Sequence, residues 1–463
     1  MASRWKSPET DFFPVTGNGW ALIALEAWRR GISLRLLRDR GFRLNFEGTE
    51  VSFKLSRLDQ DSAREANRIV GNKDATKNLL SRNSVKTPRG KAFTAPFNRE
   101  DIRSTAQSIG FPVALKANSW SKGRGVYSKV ENMQDFRYYL DTLIDDLDCK
   151  HLLVEEHVRG TDFRYYVAGD QVIGVIRKVR AHVIGDGYST VRELIEQKNS
   201  ARKLNPYLRH APIRMDSEVE RLIDAAGLTE ESVPTDEQLI YLREKSNVSA
   251  GGDSVDYTEM ASTKTKQLAI DSIAALPGVS HGGVDIIVEN PGTEEETAAV
   301  LEINAAAELG LHLFPAEGAP RDIPGALIDH YFPGTSHLQG QSSFWYFDFK
   351  SAVAPILKGV AAEVEVVSIP KRVLDQWVTV RYQGVVQRVG FRNWVSDRAR
   401  AAGVHGKVSN ASDGSVVAYL CGTRRGIEKL VSDRGGLPRS ASISEVTLEE
   451  ADPFIVTPGV SIA

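Results

Sequence analysis

The chain has 463 residues, 41% hydrophobic and 25% charged, and a net charge of −2 from 58 bases against 60 acids. That is the composition of a globular protein of roughly two to four domains. The charge balance excludes nucleic acid as the main partner. Two distant cysteines, Cys149 and Cys421, exclude a disulfide framework and a cysteine metal site, and fit a reducing cytoplasm. The N-terminus MASRWKSPETDFF has no apolar signal core, and no stretch of bilayer-spanning length is free of charge, so no membrane is expected.

Residues 1–71 read as a small α/β unit: a helix over 18–30, a strand over 32–37, and a hairpin around Glu47-Gly48. A helix starts at Asn72, with Lys73 and Lys77 four apart on one face. They are either a solvated lysine face or a phosphate contact. Another helix covers 98–109 and stops at Gly110. The strand FPVALKA (111–117) carries Lys116, and a lysine in a buried strand needs an anionic partner. SWSKGRGVYSKV follows, with Ser121, Gly123 and Gly125 in a glycine-rich loop of phosphate-cradling character. It matches neither the P-loop nor the dinucleotide fingerprint.

LLVEEHVRGTDFRYY (152–166) reads as strand, connection, strand, with Glu155, Glu156 and Asp162 flanking Val154 and Val158. A strand that pairs with adenine and offers an acid to ribose would look like this; so would an ordinary strand-turn-strand. RKVRAHVIGDGYSTVREL is a basic strand, a turn, and a helix capped by Ser189 or Thr190. Residues 199–239 are polar and read as an insertion over the site. Arg243, Lys245 and Asn247 then precede Ser249-Ala250-Gly251-Gly252, a set suited to a crowded anionic transition state.

HGGVDIIVENPGTEEETAAVLEIN (281–304) reads as two strands around an Asn-Pro-Gly turn. Strand alternation puts Glu302 and Asn304 on one face, and hairpin pairing would add Asp285. Two carboxylates and an amide in one small volume suit magnesium that also touches phosphate. The plain alternative is a surface hairpin with solvated acids. His182, His281 and His312 read as structural or substrate-contact residues, with general base as the lesser option.

The order lysine helix, lysine strand, glycine loop, acidic strand, Arg/Asn-Gly-Gly loop and D…E-x-N over residues 72–335 resembles the ATP-grasp superfamily. Within it, the chain is most similar to the ligase module of cyanophycin synthetases and bifunctional glutathione synthetases, which makes residues 1–71 a pre-ATP-grasp unit. The resemblance implies that Lys73 and Lys116 contact ATP phosphates under a loop of Ser121, Gly123 and Gly125. Glu155, Glu156 and Val158 would meet adenine, and Asp162 the ribose. Asp285, Glu302 and Asn304 would hold two Mg²⁺ ions, and Arg243, Lys245 and Asn247 would stabilise the transferring group. A substrate carboxylate becomes an acyl phosphate, and an amine of an amino acid or small peptide displaces the phosphate. Such ligases are often dimers or tetramers, so a homo-oligomer is implied. After Asn304 the related ligases usually carry N-x-x-P-G; here Ala305-Ala306-Ala307-Glu308 puts a carboxylate where substrate is expected.

Residues 336–371 read as a linker followed by strand-like sequence. From 372 to 463 the pattern is βαββαβ, a ferredoxin-like α+β sandwich. GVVQRVGFR (384–392), GKVSN (406–410) and the Asp-Gly-Ser turn resemble acylphosphatase. That implies an anion cradle with Arg392, and Asn410 positioning the attacking water. Arg388 stands where that family usually has glycine. The implied fold is thus multidomain, α/β with α+β, and the implied activity is an ATP-dependent carboxylate–amine ligase with a domain that hydrolyses or edits acyl phosphate. The alternative is an acylphosphatase whose ATP-grasp half senses nucleotide.

Overall fold

The computed structural model describes residues 19–117, 125–336, 344–369 and 374–462. They form two compact units. One holds residues up to Leu22 and Ser52–His330; the other holds Ile23–Val51 and the chain from Tyr331.

In the first unit, side-chain caps start most of the helices. Asn72 accepts from the Ala75 amide at 3.1 Å to open the helix Lys73–Arg82. Asn98 caps Arg99–Ile109, which ends at Gly110 with φ 88°. Thr190 and Glu193 form a capping box on Val191–Leu204. Each cap satisfies amides that the first helical turn leaves without partners.

Two antiparallel sheets carry this unit. One has the order Gly90–Thr94, His151–Glu156, Val113–Ala117, Val126–Val130. Its core includes Leu115, Val154, Phe136 and Ile102. The other has the order Asp253–Asp256, Gln171–Val179, Thr161–Ala168, His281–Glu289, Thr297–Asn304. The stretch read as strand, connection, strand over 152–166 therefore ends one sheet and begins the other. Gly160, with φ 137°, sits in the turn; a Cβ there would come within 2.4 Å of the Val288 carbonyl.

The register of the second sheet decides what converges. Asp285 lies opposite Glu302 on one side and Arg164 on the other; Arg164 lies opposite Ile176, and Ile176 opposite Asp256. Directly opposed residues project to the same face. One row across five strands thus presents Glu302, Asp285, Arg164 and Asp256 together. A bulge follows Asp285: Ile286 pairs with Val300, and Leu301 is the extra residue.

In the second unit the helix Trp20–Arg29 is anchored by its C-terminal turn. The Trp28 indole donates to the Val367 carbonyl at 2.8 Å, and Arg29 Nε donates to the Trp345 carbonyl at 3.0 Å. The strand Ser33–Leu37 pairs with Gly41–Phe46 and with Glu363–Val366. The region after the linker, read as strand-like, instead holds a nine-residue helix, Phe349–Leu357, before that short strand. Asp348 decides it by accepting from the Ser351 amide at 3.0 Å.

The remainder of this unit is the expected βαββαβ sandwich. Its sheet runs Ser442–Glu450, Gln376–Val385, Val416–Gly422, His405–Asn410, with Phe391–Ala402 and Arg424–Ser432 as its helices. Val378, Val380, Phe391, Trp394, Val395 and Leu420 are among its buried core. An additional strand, Val460–Ile462, pairs in parallel with His405–Asn410. Its three residues are too few to show a period in the sequence.

Candidate functional site

Two charged clusters in the first unit meet at Lys73. The acidic cluster lies on the row just described. Arg164 grips Asp285 with two donors, its Nη2 at 2.7 Å from Oδ2. Lys178 Nζ lies 2.8 Å from Asp285 and 3.6 Å from Asp162. Asn304 Nδ2 donates to Asp285 at 3.3 Å. Burial would raise the Asp285 carboxyl, but Arg164 and Lys178 outweigh it and hold the group well below the usual carboxylate range. Burial likewise opposes the charge on Arg164, and Asp285 beside it more than restores it. Glycine at 283 makes room: a Cβ there would sit 2.7 Å from the Ala307 side chain and 3.0 Å from Arg164 Cδ.

The basic cluster lies across the cleft. Glu155, buried, accepts from Lys77 at 2.9 Å and also from Lys116. Burial pushes Lys116 down to about 7, and Lys77 and Lys73 nearby push the same way. Burial pushes Lys77 down to about 8. Lys73 Nζ reaches Glu302 at 3.8 Å and so joins the two clusters. Lys73, Lys77, Glu155 and Glu302 line one small cavity of about 20 Å³, room for a single water.

The other expected residues are distributed as follows. Asp162 accepts from Ser246 Oγ at 2.6 Å, so the 243–252 loop reaches the acidic cluster through a serine. Arg243 itself is engaged elsewhere: it donates to Asp216 at 2.6 and 2.7 Å, to Glu218 at 3.0 Å and to the Arg214 carbonyl at 3.1 Å. Its hydrogen bonds to Asp216 raise the guanidinium above its ordinary value and hold it charged. Lys245 is half-buried, which pulls its ammonium below the ordinary value. The Asn247 carbonyl accepts the Ala250 and Gly252 amides at 3.0 and 3.1 Å, shaping the glycine turn. The Glu155 carboxylate, expected near adenine, points to the lysines instead, because they are the counter-charge within reach. Glu156 pairs with Arg89 at 2.7 Å, and Val158 lies in the connection between the sheets. The Gly125 carbonyl accepts from the Ala117 amide at 2.8 Å; Ser121 and Gly123 lie outside the described residues.

The histidines are mostly structural. His281 Nε2 donates to the Ser56 carbonyl at 2.8 Å, and burial pushes it down to about 4. His182 Nδ1 lies 2.8 Å from the Arg180 carbonyl. His312 is fully buried edge-on to Tyr166, and its ring nitrogens have no partner among the described residues. Burial pushes it down to about 3, so it is neutral.

Arg164, Lys178 and Ser246 were not singled out in the sequence. The signal was there for the first two. Arg164 is two residues from Asp162 on one strand, and Lys178 lies in the basic strand beside it, so alternation puts all three on one face.

The set Asp285, Glu302 and Asn304 offers only oxygen donors, and the Asn304 oxygen accepts no hydrogen bond among the described residues. Such donors fit a hard divalent cation, and the three cations gathered on them here mark the charge the site must balance. Among the described residues no group of three His, Cys, Asp or Glu side chains is gathered for a metal. An ion held here would draw on two acids and an amide.

In the second unit the cradle stretch Gly384–Arg392 leads into the helix Phe391–Ala402. Gly390, with φ 79°, occupies the cap and leaves the first amides without a side-chain acceptor. Arg388 is exposed and has φ 61°, the region that favours glycine. Asn410 ends its strand opposite Val416. Gln387, which the sequence reading passed over, donates to the Ala411 and Ser415 carbonyls at 2.7 and 2.8 Å. It ties the cradle to the turn beside Asn410.

Comparison with known proteins agrees with both halves. Residues 378–457 match the acylphosphatase family. Over 316 residues, 67% of this chain, the sequence is 30% identical to the glutathione biosynthesis bifunctional protein GshAB of Listeria monocytogenes, covering 41% of that protein. It is 28% identical over 323 residues to a cyanophycin synthetase from Nostoc, covering 67% of this chain and 34% of that one. A crystal structure of a bifunctional glutathione synthetase from Pasteurella multocida matches with a TM-score of 0.50 and 27% identity, over 64% of this chain and 41% of the other. The chain spans about two fifths of the length of the GshAB proteins it matches. The chain thus combines a region similar to bifunctional glutathione synthetase and cyanophycin synthetase with a C-terminal acylphosphatase domain.

Proposed function

We propose that the first unit is an ATP- and Mg²⁺-dependent carboxylate–amine ligase acting on amino acids or small peptides. The observation that carries this is the row Glu302, Asp285, Arg164 with Asn304 beside it, linked through Lys73 to the Lys77–Glu155–Lys116 cluster. Polyphosphate needs both halves, cations for its oxygens and oxygen ligands for its metal. Lys73, Lys77 and Lys116 bind and orient the phosphates. Asp285, Glu302 and Asn304 would hold magnesium, two ions on this reading, which would supply neutralisation of charge on the phosphates and polarisation of the γ-phosphoryl group. Arg164 and Lys178 then turn part of their charge from Asp285 to the substrate carboxylate. On this reading Asp162, held by Ser246, takes a ribose hydroxyl, and Val158 meets adenine.

The carboxylate oxygen attacks the γ-phosphorus and ADP leaves. The amine nitrogen attacks the acyl carbon, phosphate leaves, and an amide forms. The chain provides position and charge, with no protein nucleophile. Arg243, engaged by Asp216 and Glu218, shapes the loop that delivers Lys245, Ser246 and Asn247. In the second unit, Arg392 and the cradle amides bind an acyl phosphate and Asn410 aligns water against it. That domain removes acyl phosphate that fails to meet an amine.

Incubating the full chain with Mg·ATP and pairs from an amino-acid panel, and weighing the products, tests the reading. ADP and phosphate release that requires two co-substrates, with a product lighter by one water than their sum, is expected. Hydrolysis of benzoyl phosphate with no amino-acid-dependent ADP formation would replace it with the hydrolase reading.

A further inference from the structure

Lys178 stands between two acids. Its Nζ is 2.8 Å from Asp285 Oδ1 and 3.6 Å from Asp162 Oδ1. The register brings this about. Arg177 lies opposite Phe163, so Lys178 comes beside Asp162, and Asp285 lies on the strand beyond.

The nearer acid is full. Asp285 Oδ1 accepts from Arg164 Nε and faces Lys178, while Oδ2 accepts from Arg164 Nη2 at 2.7 Å and from Asn304 Nδ2 at 3.3 Å. A carboxylate has about four lone-pair sites, so none is left for a metal ion. The farther acid is half-filled. Asp162 Oδ2 accepts from Ser246 at 2.6 Å, and Oδ1, the oxygen nearer the lysine, accepts no hydrogen bond among the described residues. Asp162 is also the more exposed of the two, 32% against 11%.

A divalent cation at Asp285 must therefore displace donors. Asn304 makes the longest of these bonds and yields by turning its oxygen to the ion. Arg164 holds both oxygens through a planar fork, and no second acid accepts from it among the described residues. Lys178 is a point charge on a flexible stem, with Asp162 within reach. Repulsion from a doubly charged ion falls on both cations. The lysine is the one with another acid to go to.

We infer that Lys178 is a displaceable counter-ion that fills Asp285 until Mg²⁺ enters and then passes to Asp162. Ser246, by taking only Oδ2, keeps the second position open. This rests on the ligase reading and adds regulation to the same site. Free metal is resisted, and metal that arrives with nucleotide is admitted, because phosphate oxygens add ligands for the ion and acceptors for the displaced ammonium. Held by Asp162 through one of its three donors, Lys178 keeps the others for phosphate or the substrate carboxylate.

Mn²⁺ serves as the probe, since the electron-spin signal of the free ion falls as it binds. The full chain without nucleotide should bind it weakly, and Lys178→Gln should bind it about tenfold more tightly. Loss of any nearby cation acts in that direction, so Asp162→Asn is the discriminating change. It removes the lysine's second partner. It should weaken Mn²⁺ binding about fivefold more with Lys178 present than in the Lys178→Gln background. Equal losses in the two backgrounds would overturn the inference, as would Lys178→Gln binding no more tightly than wild type. Should Lys178→Gln fail to fold, a crystal of the wild-type chain with Mn²⁺ and ADP decides. Lys178 Nζ is expected within about 3.2 Å of Asp162; its remaining against Asp285 with the ion bound would overturn the inference. Each of these failures leaves the ligase reading standing. Failure of wild type to bind Mn·ADP at Asp285 would remove that reading, and the inference with it.

Discussion

Arg164 Nη2 stands 2.7 Å from Asp285 Oδ2 on the neighbouring strand, with Lys178 2.8 Å from the same carboxylate. A buried acid held by two cations is costly to leave half-paired. Arg164→Ala should lower unfolding free energy by about 2–3 kcal/mol, less than for an isolated buried pair because Lys178 remains. Urea denaturation measures it. Amino-acid-dependent ADP release should fall about 10²-fold or more.

Glu302 differs from Asp285 in being 40% exposed. Glu302→Gln should therefore leave stability within about 0.5 kcal/mol. Turnover should fall about 10²-fold, and raising the magnesium concentration should recover part of it. Titrating Mg²⁺ at fixed ATP separates this loss from a folding defect.

Nucleotide binding should be linked to protons. Lys116 is held down near 7 in the free protein, by burial first and then by Lys77 and Lys73. Phosphate favours the charged lysine and raises that value. Affinity for Mg·ADP should therefore be level below pH 7 and weaken above it, by up to about tenfold per unit for one linked proton. Calorimetry at pH 8 in buffers of different ionisation enthalpy should show proton uptake. Lys116→Met should abolish that component.

The second unit makes an independent prediction. Arg392→Ala and Asn410→Ala should each reduce benzoyl phosphate hydrolysis about 10²-fold and leave amino-acid-dependent ADP formation intact. If the domain clears unused acyl phosphate, Arg392→Ala should also change the ratio of ADP to amide product. Arg388→Gly should relieve a left-handed backbone and gain about 0.5–1 kcal/mol of stability. A simultaneous rise in KM would assign the arginine to anion binding.

Much of this site was legible because alternation is a strict rule. Spacing put Glu302 and Asn304 on one face and added Asp285 on condition that the strands pair; they do pair, and the bulge at Leu301 brings Glu302 opposite Asp285. Lys73 and Lys116 carried a weaker signal, since a lysine shows its anionic partner only after folding. For Lys116 that partner proved to be Glu155, whose side chain reads from the sequence as facing adenine; Lys73 reaches Glu302 instead. Arg164 lies on a stretch read as a strand, where the acids Glu155, Glu156 and Asp162 carried the functional reading and the arginine beside them did not. The helix Phe349–Leu357 was misread because its apolar residues leave no clear polar stripe, and only Asp348 marks its start. Arg243 looked suited to catalysis by type, yet Asp216 and Glu218, more than twenty residues earlier, claim it. No local pattern announces a contact that distant.

The bulge at Leu301 makes the count of residues between the Asn-Pro-Gly turn and the acids as consequential as their identity. Chain length there acts as a phase setting. Deleting Leu301 would close the bulge into a regular ladder, with Val300 still opposite Ile286 and Glu302 still opposite Asp285, while removing the local kink and added twist that aim the acids. The hairpin should thus keep its pairing when Leu301 is lost, whereas a residue added between Ile303 and Asn304 would turn Asn304 away from Asp285 and Glu302.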